Sequence, residues 1–191
     1  MVEMKRDFGT AIGSNCILCL LHSHAGNEDA FVLPETMRFE PELTRTLMAD
    51  HHDFTTRMRS MATISTQILA SDERDLRVDL GLRLNREVNE FFARYLAHMN
   101  REEEKLIPAM KAHLSDDDIM RMGSAIEERT PPAEMLAYAR WMLPSLNPTE
   151  LVEFVEGAHA SFPPVLFREL MRTGTSTVEP ARWAAATKGL R

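Results

Sequence analysis

PELTRTLMADHHDFTTRMRSMATISTQILA, residues 41–70, reads as one long helix. Pro41 suits the first helical position, where its missing N–H would have had no partner anyway. Leu43, Leu47, Phe54, Met58, Met61 and Ile68 recur at three/four spacing and mark one buried face. His51 continues that stripe, while His52 is turned about 100° away beside Met48 and Thr55. The helix stops at Ser71-Asp72-Glu73. A histidine in register with core residues is the first sign of chemistry inside the fold.

Working outward, strand signals are scarce and Met, Leu, Ala, Glu and Arg dominate, all good helix formers. A first helix is expected from about Thr10 to Leu33, ending at Pro34, with residues 35–40 as a connection. A third runs from about Leu76 to Ile107, with Leu80, Leu84, Val88, Phe91, Tyr95 and Leu106 on its inner side. Shorter helices follow. One opens at the capping box of Ser115 and Asp118, and one at Pro131-Pro132. Another opens at Asn147-Pro148-Thr149-Glu150, and a last one spans residues 165–171. The expected architecture is all-α: an antiparallel four-helix bundle with additional short helices in the C-terminal half. The bundle domain is expected over residues 1–175, with residues 176–191 a loose tail.

The 191 residues are 44% hydrophobic and carry a formal net charge of −7. That sign argues against nucleic acid and anionic membrane surfaces as partners. No apolar run approaches the roughly 18 residues that cross a bilayer. Only two cysteines, Cys16 and Cys19, are present, too close together to staple distant segments. The N-terminal apolar run is shorter than that of a signal peptide. A cytoplasmic location is expected.

The placement of the histidines carries the functional signal. His24-Ala-Gly-Asn-Glu28-Asp29 runs on to Val-Leu-Pro34, and His98-Met-Asn-Arg-Glu102-Glu103 runs on to Leu-Ile-Pro108. Both read His, three residues, Glu, an acid, two residues, two aliphatics, Pro. Residues four apart leave one helix face a turn apart, so each His/Glu pair can grip one ion or share two. A single such pair is most simply a surface ion pair; two with matching flanks, both on apolar stripes, need a buried counter-charge. Helix four offers His159, in register with Val152, Val155 and Phe162. At about 1.5 Å per residue, the first turn brings His24 and His51 to one level, and the second does the same for His51 and His98. Imidazole with carboxylate suits iron, manganese or zinc. Cys16, Cys19 and His22 form a weaker zinc candidate; on one continuous helix they read as small buried hydrophobes.

At Asp50-His51-His52-Asp53-Phe54 and Tyr95-Leu-Ala-His98-Met-Asn-Arg-Glu102-Glu103 the chain resembles the hemerythrin-like, HHE cation-binding family. The resemblance implies a four-helix bundle with a non-haem centre of two iron ions, manganese or zinc being possible substitutes. Its implied ligands are His24, Glu28, His51, His98, Glu102 and His159. The helix order is cyclically shifted from hemerythrin's, and Thr55 stands where a second histidine would follow His51. That leaves a coordination position for water, a small ligand, Tyr95 or Glu156. A ferritin-like site would need two Glu-x-x-His motifs, and only Glu156-Gly-Ala-His159 has that form. The implied function is binding of O2, NO or peroxide for sensing, scavenging or storage. The alternatives are an oxidase or peroxide-reducing activity, iron–sulfur cluster repair, or a metal that mainly stabilises the bundle.

Overall fold

The computed structural model describes residues 17–190. The expected first helical turns at residues 10–16, and Cys16 with them, lie outside the described residues. Among the described residues every regular element is helical. The chain divides into two compact units, with the boundary after Glu127.

The first unit opens with α1 (Ile17–Asn27), which passes through a π-helical turn (Glu28–Val32) into α2 (Leu33–Thr36). Next come α3 (Pro41–Ala70) and α4 (Arg74–Arg101). A second π-helical turn (Glu102–Leu106) leads from α4 into α5 (Ile107–His113). Pro34 does not stop its helix, and Pro108 does not stop the next one. A proline has no N–H to give and crowds the carbonyl four residues back. Here the chain takes in one additional residue ahead of each proline. The Leu33 N–H bonds to the Glu28 carbonyl and the Ile107 N–H to the Glu102 carbonyl, both five residues back. The helix then continues. The two copies of the repeat thus share a backbone defect as well as a residue pattern.

α3 and α4 are joined by residues 71–73 and lie side by side. Arg57 of α3 ties them, meeting Asp53 at 2.8 Å and Glu90 of α4 at 3.2 Å. Two apolar clusters fill the unit. One gathers Phe54, Met58, Met61 and Phe91; the other gathers Leu33, Leu47 and Leu106. Thr36 and Thr44 close the first turn with a buried hydroxyl pair at 3.0 Å. Phe39 stacks on His113, with ring centroids 4.6 Å apart.

α6 (Asp116–Arg129) carries the boundary between the units; Ser115 and Asp118 cap it reciprocally. The second unit holds α7 (Pro132–Ser145), α8 (Pro148–Ser161), α9 (Pro164–Thr177) and α10 (Pro180–Ala186). Asn147 and Glu150 form the capping box that the sequence predicts. A single domain over residues 1–175 with a loose tail does not describe this chain. The short helices bury their apolar sides on one another, around Leu143, Leu151, Val155 and Leu170, and form a core of their own. The supposed tail closes it: Val178, Trp183 and Ala186 are buried. Trp183 lies so close over Gly174 that a β-carbon there would meet its ring at 2.1 Å.

Candidate metal centre

α3 positions the centre of the site. His51 sits one turn after Leu47 and just before Phe54, so it lies between the two apolar clusters of the first unit and is 4% exposed. His52, off the stripe, is exposed. α4 brings His98, 1% exposed, against His51, and the Phe54 ring stands edge-on to His98 with centroids 5.1 Å apart. Glu28 and Glu102 are the first residues of the two π-helical turns. Such turns are rare in soluble proteins and concentrate at functional sites.

Glu28, His51, His98 and Glu102 each offer one ligand atom, and these atoms all lie within 4.8 Å of one another. The two Nε2 atoms of His51 and His98 face each other at 3.2 Å. Glu102 Oε1 is 2.9 Å from His98 Nε2, and Glu28 Oε2 is 3.4 Å from His51 Nε2. By distance these are ion pairs, but neither oxygen is aligned to accept a hydrogen bond, and both are buried. Alignment is the better guide for a short-range polar contact. The two imidazoles can share a proton, while the two carboxylate oxygens sit in the same small volume with no aligned donor.

Carboxylates behind the rings settle which nitrogen faces that volume. Asp29 Oδ1 is 2.8 Å from His51 Nδ1, and Asp50 Oδ2 is 3.1 Å from His98 Nδ1. Arg101 in turn pairs with Asp50. Each Nδ1–H donates to an aspartate, which leaves Nε2 for the centre. Burial alone pulls the His51 pKa down. The hydrogen bonds and charges of Asp29 and Glu28 outweigh it and raise the value to about 9. In the metal-free chain a proton thus supplies the positive charge that the site demands.

The structure brings four of the six expected ligands together: Glu28, His51, His98 and Glu102. His24 is next to them and more open: its side chain is 41% exposed and its Nε2 lies 3.3 Å from Glu28 Oε1. His159 takes no part in the group. It belongs to the second unit, is exposed, and leans on Phe167 with ring centroids 4.9 Å apart. Its helix buries Leu151, Val155 and Ala158 instead, one step of rotation away from the histidine. Glu156 is exposed on the same helix, and Tyr95 packs near His98 with ring centroids 6.2 Å apart. Cys19 packs in the Phe54 cluster. Asp29, Asp50 and Arg101 had no role in the sequence reading. Asp29 follows Glu28 in the repeat and Asp50 precedes His51, so both stood inside motifs already quoted.

The chain matches no family model, no curated protein and no solved structure. Two imidazoles and two carboxylates in an apolar surround could hold a metal ion, and iron, manganese and zinc all suit nitrogen and oxygen ligands. No helix of the described residues is long and apolar enough to cross a membrane.

Proposed function

We propose that this chain is a non-haem metal protein of the hemerythrin-like kind. Its centre, a pair of iron ions, binds O2, NO or peroxide. One observation carries the reading: four buried ligand atoms on three helical stretches lie within 4.8 Å, with two carboxylate oxygens left without hydrogen bonds. A buried carboxylate with no donor costs several kcal/mol, about 1–3 at the least, and a cation removes that cost.

A second ion is supported by Glu28. Its Oε2 belongs to the buried group, while its Oε1 faces His24. With its two oxygens turned to two different imidazoles, Glu28 would serve both ions. His51 and His98 would hold the inner ion through Nε2, with Asp29 and Asp50 fixing their tautomers. His24 serves the outer, more open side. The iron pair, when bound, would supply one-electron redox chemistry. The chain's own residues exclude water on the inner side, through Phe54 and Leu47, and leave access on the side of His24. The reading does not need His159.

A second reading rests on the same distances. Bonds of about 2.0–2.1 Å to a tetrahedral ion place ligand atoms roughly 3.3 Å apart. The contacts of His51 with His98 and Glu28, 3.2 and 3.4 Å, match one such ion, which would mainly stabilise the fold. Iron loading followed by ultraviolet absorption and iron counting separates the two. The di-iron reading expects about two irons per chain and a near-ultraviolet band that shifts with azide. One ion per chain with no azide-sensitive band supports the structural reading instead.

A further inference from the structure

α4 is apolar on two sides. Leu84, Val88 and Tyr95 pack with Phe91 into the core of the first unit. About 110° around the helix from that core side runs a second row: Val78, Leu82, Asn85, Asn89, Phe92 and Leu96. Its four large apolar members are exposed, Val78 by 53%, Leu82 by 58%, Phe92 by 39% and Leu96 by 62%. The spacing of this row is four, three, four, three, four. That is the 3.5-residue repeat of a helix seam that packs knobs into the holes of another helix. Scattered apolar residues on a surface need no partner, but an aligned row of this size does.

We propose that this row is the interface on which two copies of the chain pair as an antiparallel dimer through α4. The row is nearly its own reverse: two apolar residues, two asparagines, two apolar residues. A two-fold axis between Asn85 and Asn89 lays Val78 and Leu82 of one copy against Leu96 and Phe92 of the other. A closed two-fold interface requires such self-complementarity. The asparagines fit the same axis. Asn89 Nδ2 donates to Asn85 Oδ1 at 3.2 Å within one helix. The remaining acceptor of Asn89 and the remaining donor of Asn85 meet their counterparts from the second copy. Buried amides of this kind fix register at some cost in stability. Charge agrees with the antiparallel direction. Residues 74–86 carry four arginines against two aspartates, and residues 87–104 carry five glutamates against two arginines. Antiparallel pairing sets the basic half of each helix along the acidic half of the other. Parallel pairing sets like on like.

The test is the mass of the full chain by size exclusion with light scattering at micromolar concentration. The expected mass is twice that of the chain, and it halves in Leu82→Glu and Leu96→Glu with helical content unchanged by circular dichroism. Direction is read by cysteine cross-linking with Cys16 and Cys19 replaced by Ala. Val78→Cys with Leu96→Cys should form a covalent dimer on oxidation, and neither cysteine alone should. A monomeric wild type, with some other segment covering the row, overturns the proposal. So does a dimer that survives both Glu substitutions, or one that cross-links through either single cysteine.

Discussion

His51 and His98 turn their Nε2 atoms toward each other at 3.2 Å while an aspartate holds the Nδ1 of each ring. With each Nδ1–H given to an aspartate, the two Nε2 atoms would set lone pair against lone pair unless a cation lies between them. In the metal-free chain a proton on His51 serves, and on the proposed reading a metal ion takes its place.

Asp50 should control metal affinity without touching metal. It fixes the His98 tautomer and is itself held by Arg101. Asp50→Asn keeps the shape but accepts from Nδ1–H less strongly. Metal affinity should fall roughly 10–100-fold, as is usual when such a partner is lost. Competition with a chelator measures it, with circular dichroism confirming the fold. Unchanged affinity would mean that His98 is oriented by packing alone.

The metal-free chain should lose stability as pH rises. His51 titrates near 9 when folded and near 6.5 when unfolded. Its pKa is raised on folding, so its contribution is complete below about 6.5 and fades as pH climbs through 9. The size is on the order of 1–3 kcal/mol. Chemical denaturation at pH 6, 8 and 10 reads it directly. Asp29→Asn should flatten the profile, because Asp29 supplies the strongest of the raising interactions. A profile equally steep in that variant would contradict the assignment.

Glu102→Gln should separate binding from folding. Glu102 is 5% exposed, and its Oε1 has no aligned donor. Removing the charge relieves the metal-free fold by about 1–3 kcal/mol. The same change takes away an anionic ligand. Melting temperature without metal should hold or rise, while the stabilisation on adding metal shrinks. A variant that loses metal-free stability would show Glu102 to be well satisfied as an anion.

How far the sequence is legible depends on the kind of signal. The stripe of Leu47, His51, Phe54 and Met58 is a strict three/four pattern, and all four residues are buried. The repeat around Glu28 and Glu102 was visible as residues, but not its π-helical turns. A proline after an apolar pair looks like a stop, and only the bond from Leu33 back to Glu28 reveals a continuation. His159 shares a coarse register with Val152 and Val155, yet a shift of one residue moves a side chain 100° around a helix. The helix settles with Ala158 inward and His159 outward. The C-terminal stretch looked loose because its residues are small and polar. Val178, Trp183 and Ala186 nevertheless bury themselves in the core, with Trp183 over Gly174, a contact that no periodic pattern announces.

That contact gives a prediction for the second unit. Gly174→Ala forces a methyl group into the Trp183 ring, where 2.1 Å leaves no room. Overpacking of this kind costs about 1–3 kcal/mol. The loss should appear in melting curves and in earlier proteolysis of the C-terminal segment. Metal binding, which draws on the first unit, should be unaffected. A neutral effect would show that Trp183 can turn aside freely.

Elemental analysis tests most directly whether the buried group between α1, α3 and α4 holds metal. Wild type, His51→Ala and His52→Ala should be purified from iron-supplemented medium and counted for iron, manganese and zinc per chain. Bound metal should be retained in wild type and in His52→Ala, whose side chain is exposed, and lost in His51→Ala. Wild-type protein with no metal, or His51→Ala holding as much as wild type, would contradict it.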